Sequence, residues 1–347
     1  LLQADSGALG VQLTISRPVQ RAVEAVAAST MTSGCILVLD TATAAVRASV
    51  SVPCYDPENL ADSLQAENSP FLNRALQSYA VGSVFKPVLA AAALEAGLQP
   101  VFECTGAVVV DGQIFRCAGG VPHGQVDLAA ALEKSCNGYF IRLGQQLGAE
   151  SLLDAAKAFG FGQSLPLAEG FAAEAGQLPT PQELAQSGQL ANFSFGQGSL
   201  LAAPMQVAAL FNTLAADGVY RAPYVLQATL DETTGQPVET LSHPRGRRVI
   251  SAQNAALLRA MLVQVVQQGT AQDAAGLSGG AGGKTGTAQT GQFTPEGTER
   301  CNLWFAGFWP AEKPRYTIVV LQDGAVHTAY SGAAIFAQVC TALEAAG

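Results

Sequence analysis

Strand-like patterns at both ends of the chain, parted by a long helical stretch, restrict the fold more than any other feature. Val11, Leu13 and Ile15 alternate, the mark of a strand. Ser16 is placed to cap a following helix with Pro18 in its first turn and Val19, Val23 and Val26 on one face. Gly34 to Leu39 is a short continuous apolar run, which predicts a strand buried on both faces. After turn-like residues from Asp40 to Ala45, Val46 to Val52 returns as its hairpin partner. From Ser83 to about residue 270 the texture is helical, over 84–96, 127–147, 150–159, 204–217 and 252–267. One hairpin interrupts it, with Val108–Val110 and Gln113–Phe115 flanking Asp111-Gly112. Beyond Gly282-Gly283 strands return at Lys284–Gln289, Asn302–Trp309 and Tyr316–Leu321, and a helix from Gly332 to Ala345 closes the chain. The expectation is an α+β fold in one domain over 1–347: residues 1–82 and 271–347 build an antiparallel sheet subdomain, and 83–270 a mostly helical one.

A chain of 347 residues, 49% apolar, can bury a large core without metal or disulfide staples. Its net charge of −9 offers no basic footprint, so nucleic acid is excluded as a partner. Only 13% of residues are charged, a thin cover that suits work in a complex or near a membrane. The longest apolar stretch, Pro87 to Ala93, is far short of the roughly 18 residues of a membrane span. The chain opens Leu1-Leu2-Gln3 without Met, which reads as a mature or truncated form. Seven cysteines is an odd count, their spacings include no C-x-x-C, and none of His123, His243 and His327 adjoins a cysteine. That spacing argues against a zinc site, and no metal or cofactor is expected. In the hairpin register Cys117 faces Gly106 with Cys104 one diagonal step away. A Cys104–Cys117 disulfide needs the ladder to bend; two free thiols are the alternative.

Three short motifs follow in order. Ser83-Val84-Phe85-Lys86 opens an apolar helix, Ser135-Cys136-Asn137 lies in the helical region, and Lys284-Thr285-Gly286-Thr287 follows a glycine-rich lead-in. A serine hydroxyl is a poor nucleophile until a base takes its proton. Ser83 and Lys86, three apart, share one helix face. A lysine serves as that base only when neutral, and burial plus a second cation, here Lys284, lower its pKa. A lone S-x-x-K means little, but K-T-G-T has a chance expectation of about 0.002 in this composition. The ordered set is that of penicillin-binding proteins and related β-lactamases.

On these residues the chain resembles the transpeptidase domain of class B penicillin-binding proteins, serine D,D-acyltransferases. The likeness extends to Val11–Ile15 with Val19-Gln20, Asn73-Arg74-Ala75, His123-Gly124, Phe195–Gly198 with Pro204–Gln206, Gly269-Thr270-Ala271 and Trp304–Phe308 with Pro310. It departs at Ala44-Ala45, where the family usually has Thr-Gly, and at Leu201-Ala202-Ala203, where Thr is common before Pro. The resemblance implies a five-stranded antiparallel sheet with flanking helices and a helical subdomain. It implies acylation of Ser83 by the D-Ala-D-Ala end of a peptidoglycan stem peptide or by a β-lactam. Lys86 is then the general base, and Ser135 and Asn137 the proton-relay and substrate-amide contacts. Lys284, Thr285 and Thr287 become carboxylate and oxyanion partners, with Gly286 facing away and the backbone N–H groups of Ser83 and Thr287 forming the oxyanion hole. Cys136 reads as a packing residue, His123 as a loop hydrogen-bonder, and Trp304, Phe305 and Phe308 as core. The resemblance places the domain on the outer face of the bacterial cytoplasmic membrane. It implies an N-terminal anchor and pedestal outside this chain and a glycosyltransferase partner. A serine β-lactamase, a β-lactam sensor and an inactive scaffold are the alternatives; the first needs a group that activates water, such as the separate glutamate of class A enzymes, and no glutamate between motifs two and three has a recognisable context for it.

Overall fold

The computed structural model describes residues 9–66, 68–243 and 245–346. Five antiparallel strands make the central sheet: β1 (Gly34–Asp40), β2 (Val46–Val52), β3 (Gly282–Phe293), β4 (Glu299–Trp309) and β5 (Tyr316–Ala325). Their order is β3-β4-β5-β1-β2, so the early hairpin docks on the last strand and β3 lies at an edge. β1 is buried along all but its last residue, as an unbroken apolar run in a central strand requires.

Neighbouring residues of a strand point to opposite faces, and β4 shows what covers each. Phe305 packs on Phe336 of the C-terminal helix Gly332–Ala345, ring centroids 4.7 Å apart, and that helix lies against the helix Arg17–Thr30. Trp304 points the other way, and its indole N–H donates to the Ala80 carbonyl at 3.0 Å. On the Trp304 face Thr317 donates to Asn212 at 3.0 Å, within the helix Pro204–Ala215, which is buried at every residue. The catalytic motifs gather on this second side.

Several elements differ from expectation. The first strand, Leu9–Leu13, pairs with Leu226–Asp231 rather than with the central sheet, and Val11 and Leu13 stay 58% and 48% exposed. Alternation reports a strand but not its partner. The stretch 127–147 is two helices, Leu128–Glu133 and Asn137–Leu147, broken at the second motif. Ser16 occupies the N-cap position of its helix without making a side-chain cap bond. Residues 219–248 carry short strands, not helix. Ala44, at the departure noted above, takes a left-handed φ of 63° that ordinarily favours glycine. All seven cysteines are free.

Candidate active site

Ser83 lies in a single 3₁₀ turn, Gly82–Phe85, that runs directly into the helix Lys86–Glu95. Fixed contacts hold the turn: the Gly82 N–H donates to the Gly196 carbonyl at 2.8 Å, and the preceding Ala80 carbonyl receives Trp304. Gly82 has φ +65°, and a Cβ there would stand 2.8 Å from the Thr287 carbonyl oxygen, so edge strand and nucleophile turn touch through a glycine. Upstream, the buried Arg74 pairs with Asp323 of β5 at 3.0 Å, tying the approach to the turn onto the sheet.

Lys86, three residues after Ser83, is fully buried. Its Nζ donates to the Ser135 carbonyl at 2.8 Å, to Ser135 Oγ at 3.1 Å and to Asn137 Oδ1 at 2.7 Å. Burial lowers its pKa to about 7, against the opposing pull of the Cys136 and Cys117 sulfurs. Lys284 was expected to lower Lys86; burial is what lowers Lys86, and the influence between the two runs from Lys86 to Lys284. It too is fully buried, and burial first and the Lys86 charge second push it well below the usual lysine range.

The second motif ends a helix. The Ser135 N–H donates to Leu132 and the Cys136 N–H to Ala131, at 3.2 and 2.9 Å, the paired bonds of a Schellman stop. Ser135 occupies its left-handed position at φ 54°, where glycine is usual. That turn aims both its carbonyl and its hydroxyl at Lys86. Cys136 then caps the next helix, its Sγ accepting from the Tyr139 N–H at 3.4 Å. Asn137 is fixed at both ends of its amide, since Nδ2 donates to the Arg116 carbonyl at 2.9 Å.

On β3, Lys284 and Gly286 are buried while Thr285 is half-exposed and Thr287 exposed, the two-residue alternation of a strand. A Cβ on Gly286 would meet Val84 Cγ1 at 3.0 Å, so the close approach of strand and turn requires this glycine. The Thr287 carbonyl points at Gly82, away from β4. In an antiparallel strand a residue's N–H and C=O share one side, so the Thr287 N–H also faces the free edge beside Ser83. Lys284 was expected to hold a substrate carboxylate. Its Nζ, buried behind the strand, donates to the Thr285 carbonyl at 3.1 Å and to Thr285 Oγ1 at 3.4 Å, so that it stands directly behind the hydroxyl that reaches the surface.

These parts line a cleft of about 760 Å³. Ser83, Ser135, Asn137, Thr285, Gly286 and Thr287 all reach it, whereas Lys86 and Lys284 lie behind its wall. A larger hollow of about 970 Å³ beside Arg259 and Lys313 contains none of the motif residues. The cleft also holds Thr270, whose hydroxyl is 2.7 Å from that of Thr285, together with Arg116, Asn192 and Gln197. Gly269-Thr270-Ala271 had been singled out without a role. Asn192 lies in the last turn of the helix Ser187–Ser194. Gln197 belongs to the Phe195–Gly198 segment noted above, whereas Arg116 and Asn192 carry no local signal, because they enter through the hairpin and a helix end.

The chain belongs to the penicillin-binding protein transpeptidase family: the family description "Penicillin binding protein transpeptidase domain" matches residues 34–341. Among its relatives is the peptidoglycan D,D-transpeptidase PbpA of Mycolicibacterium smegmatis, 32% identical over 97% of this chain and 72% of that protein. The ceftriaxone acyl-enzyme complex of penicillin-binding protein A from Mycobacterium tuberculosis superposes with a TM-score of 0.86 at 28% identity, over 98% of this chain and 80% of that one. The D,D-transpeptidase domain of a peptidoglycan glycosyltransferase from Eggerthella lenta gives 0.86 at 27% identity, over 98% and 84%. The five-stranded α+β fold and the penicillin-binding class expected from the motifs are both borne out.

Proposed function

We propose that this domain is a peptidoglycan D,D-transpeptidase working through a Ser83 acyl-enzyme. The observation that carries the reading is Lys86, fully buried three residues after Ser83 with its Nζ held by Ser135 and Asn137. Neutral Lys86 takes the Ser83 proton as Oγ attacks the carbonyl of the penultimate D-alanine. The Ser83 and Thr287 N–H groups receive the developing oxyanion. Ser135 passes the proton to the departing D-alanine nitrogen as the C–N bond breaks. An acceptor amine then attacks the ester, releasing Ser83 and forming the cross-link. The terminal carboxylate is met by the Thr285, Thr270 and Thr287 hydroxyls, backed by the buried Lys284. A β-lactam enters the same first step, and its tethered leaving group stays in the cleft.

No carboxylate lines this cleft among the described residues. A class A β-lactamase uses a glutamate to activate the deacylating water, and without one here the acyl-enzyme is expected to be long-lived. The same reading places the domain on the outer face of the cytoplasmic membrane, where stem peptides lie. An anchor and pedestal outside residues 1–347, a glycosyltransferase partner and a division into a sheet subdomain, 1–82 with 271–347, and a mostly helical one, 83–270, go with it. Among the described residues no helix is long and apolar enough to cross a membrane.

The test is fluorescent-penicillin labelling followed by turnover of a D-Ala-D-Ala-type thioester with an amine acceptor. Slow label loss with transfer to the amine is the expected result. Rapid loss would mean a β-lactamase, and retention without turnover a sensor. Ser83→Ala should abolish labelling with the thermal transition intact; a labelled variant would remove Ser83 from its role.

A further inference from the structure

Directly behind the Ser135-Cys136-Asn137 turn, Cys104, Cys117, His123 and Cys136 bring their ligand atoms within 4.8 Å of one another. Cys104 ends the strand Phe102–Cys104, Cys117 follows the hairpin strand Gln113–Arg116, and His123 precedes the strand Gly124–Val126. The sulfurs of Cys104 and Cys117 are 3.7 Å apart, those of Cys117 and Cys136 3.8 Å, and His123 Nδ1 is 3.5 Å from Cys104 Sγ. A tetrahedron with zinc–sulfur bonds of about 2.3 Å and a zinc–nitrogen bond of about 2.0 Å has edges of about 3.8 Å between sulfurs and about 3.5 Å from sulfur to nitrogen. The three measured separations match those edges. The backbone is shaped for the approach: the His123 N–H donates to the Cys104 carbonyl at 3.0 Å, and the Cys117 N–H to Gly106 at 2.9 Å.

We propose that these four side chains form a Cys₃His site for one structural zinc ion, which clamps the turn presenting Ser135 and Asn137 to the hairpin and loop 104–123. Three sulfurs and an imidazole in tetrahedral array select zinc over the oxygen-seeking divalent cations. The thiols lose their protons on binding, and no redox step is involved. All four protein positions are filled, so the ion is a fastener with no open place for substrate. Its effect reaches the reaction only through Cys136, which is covalently between the two residues that hold Lys86. Asn137 is fastened to the same hairpin independently, through the Arg116 carbonyl. The positioning role rests on the transpeptidase reading; the metal site itself does not.

The experiment is metal analysis of the full chain purified without chelator, with cobalt substitution as the ligand probe. One zinc per chain is expected, and cobalt exchanged into the site should show the intense visible bands of tetrahedral thiolate coordination. Cys104→Ser and His123→Ala should lose or weaken the metal, while His123→Cys, which restores a donor, retains it. Ser83→Ala should keep a full zinc complement, which separates this site from the fate of the acylation assignment. Stripping zinc under reducing conditions should lower the melting temperature and slow penicillin acylation by about 10²-fold, with recovery on zinc addition. Folded chain without metal, or with a Cys104–Cys117 disulfide by intact mass, would overturn the site. Acylation unchanged by zinc removal would overturn the clamp.

Discussion

At the residue scale the site depends on two side chains kept in costly states. Lys86 is buried without a carboxylate partner among its hydrogen bonds, and burial brings its pKa down to about 7. The neutral form is the base, so acylation should rise with pH, by about tenfold per unit below that value, and level off above it. A penicillin acylation profile from pH 5 to pH 9 measures this; a flat profile would assign the proton to another group. Lys86→Ala should cost about 10²–10⁴-fold. Ser135 pays no such desolvation but stands at φ 54°, a conformation that costs a non-glycine residue about 1–2 kcal/mol. Ser135→Gly should therefore leave the melting temperature equal or higher while slowing acylation by about 10²-fold. A stability loss comparable to the activity loss would make Ser135 a structural residue instead.

At the element scale, one contact surface joins the nucleophile turn to β3, and glycines set its spacing. Gly82 presents a positive φ to the Thr287 carbonyl, and Gly286 faces Val84. Gly82→Ala puts a Cβ 2.8 Å from backbone oxygen, which no side-chain rotation relieves. Strand and turn must part, and the Ser83 and Thr287 N–H groups with them. Acylation should fall by at least about 10²-fold, since a displacement of about 1 Å suffices for that. Gly286→Val should act the same way through Val84. A pair of variants with wild-type acylation rates would show that the strand is not held by this contact. Gly286 was visible in its motif and Gly82 directly precedes one, but their reason was not legible: what each glycine touches lies some two hundred residues away along the chain.

At the scale of the whole molecule, the approach to Ser83 is anchored across the sheet by Arg74 and Asp323. The guanidinium also donates to the Ser69, Leu72 and Asn68 carbonyls, while among the described residues Asp323 Oδ1, the oxygen that Arg74 does not touch, has no hydrogen-bond partner. Removing one member of such a pair strands the other, at about 3–5 kcal/mol. Arg74→Ala should lower stability in urea by about that amount, and adding Asp323→Asn should recover part of it. Full additivity of the two changes would mean the groups do not act as a pair.

What the sequence determined by itself was whatever repeats locally or is spelled in consecutive residues. The apolar run of β1, the helix 252–267, the closing helix 332–345 and the three motifs were legible because periodicity and motif chemistry need no partner. Tertiary structure alone decided which elements meet. The first strand's alternation was right, yet its partner, Leu226–Asp231, is far away in sequence. The helical pattern over 127–147 hid a break, because the Schellman turn at Ser135 leaves the apolar spacing on either side intact. Lys284 read as the second cation beside Lys86 and a partner for a carboxylate, but its complete burial follows only from the packing of β3 against the nucleophile turn. Cysteine spacing argued against a metal, and the four side chains of the proposed site, drawn from a strand end, two loops and a helix cap, share no short-range signature. Local chemistry is written in neighbouring residues, whereas burial and convergence are properties of the folded chain, fixed by contacts between residues the sequence holds far apart.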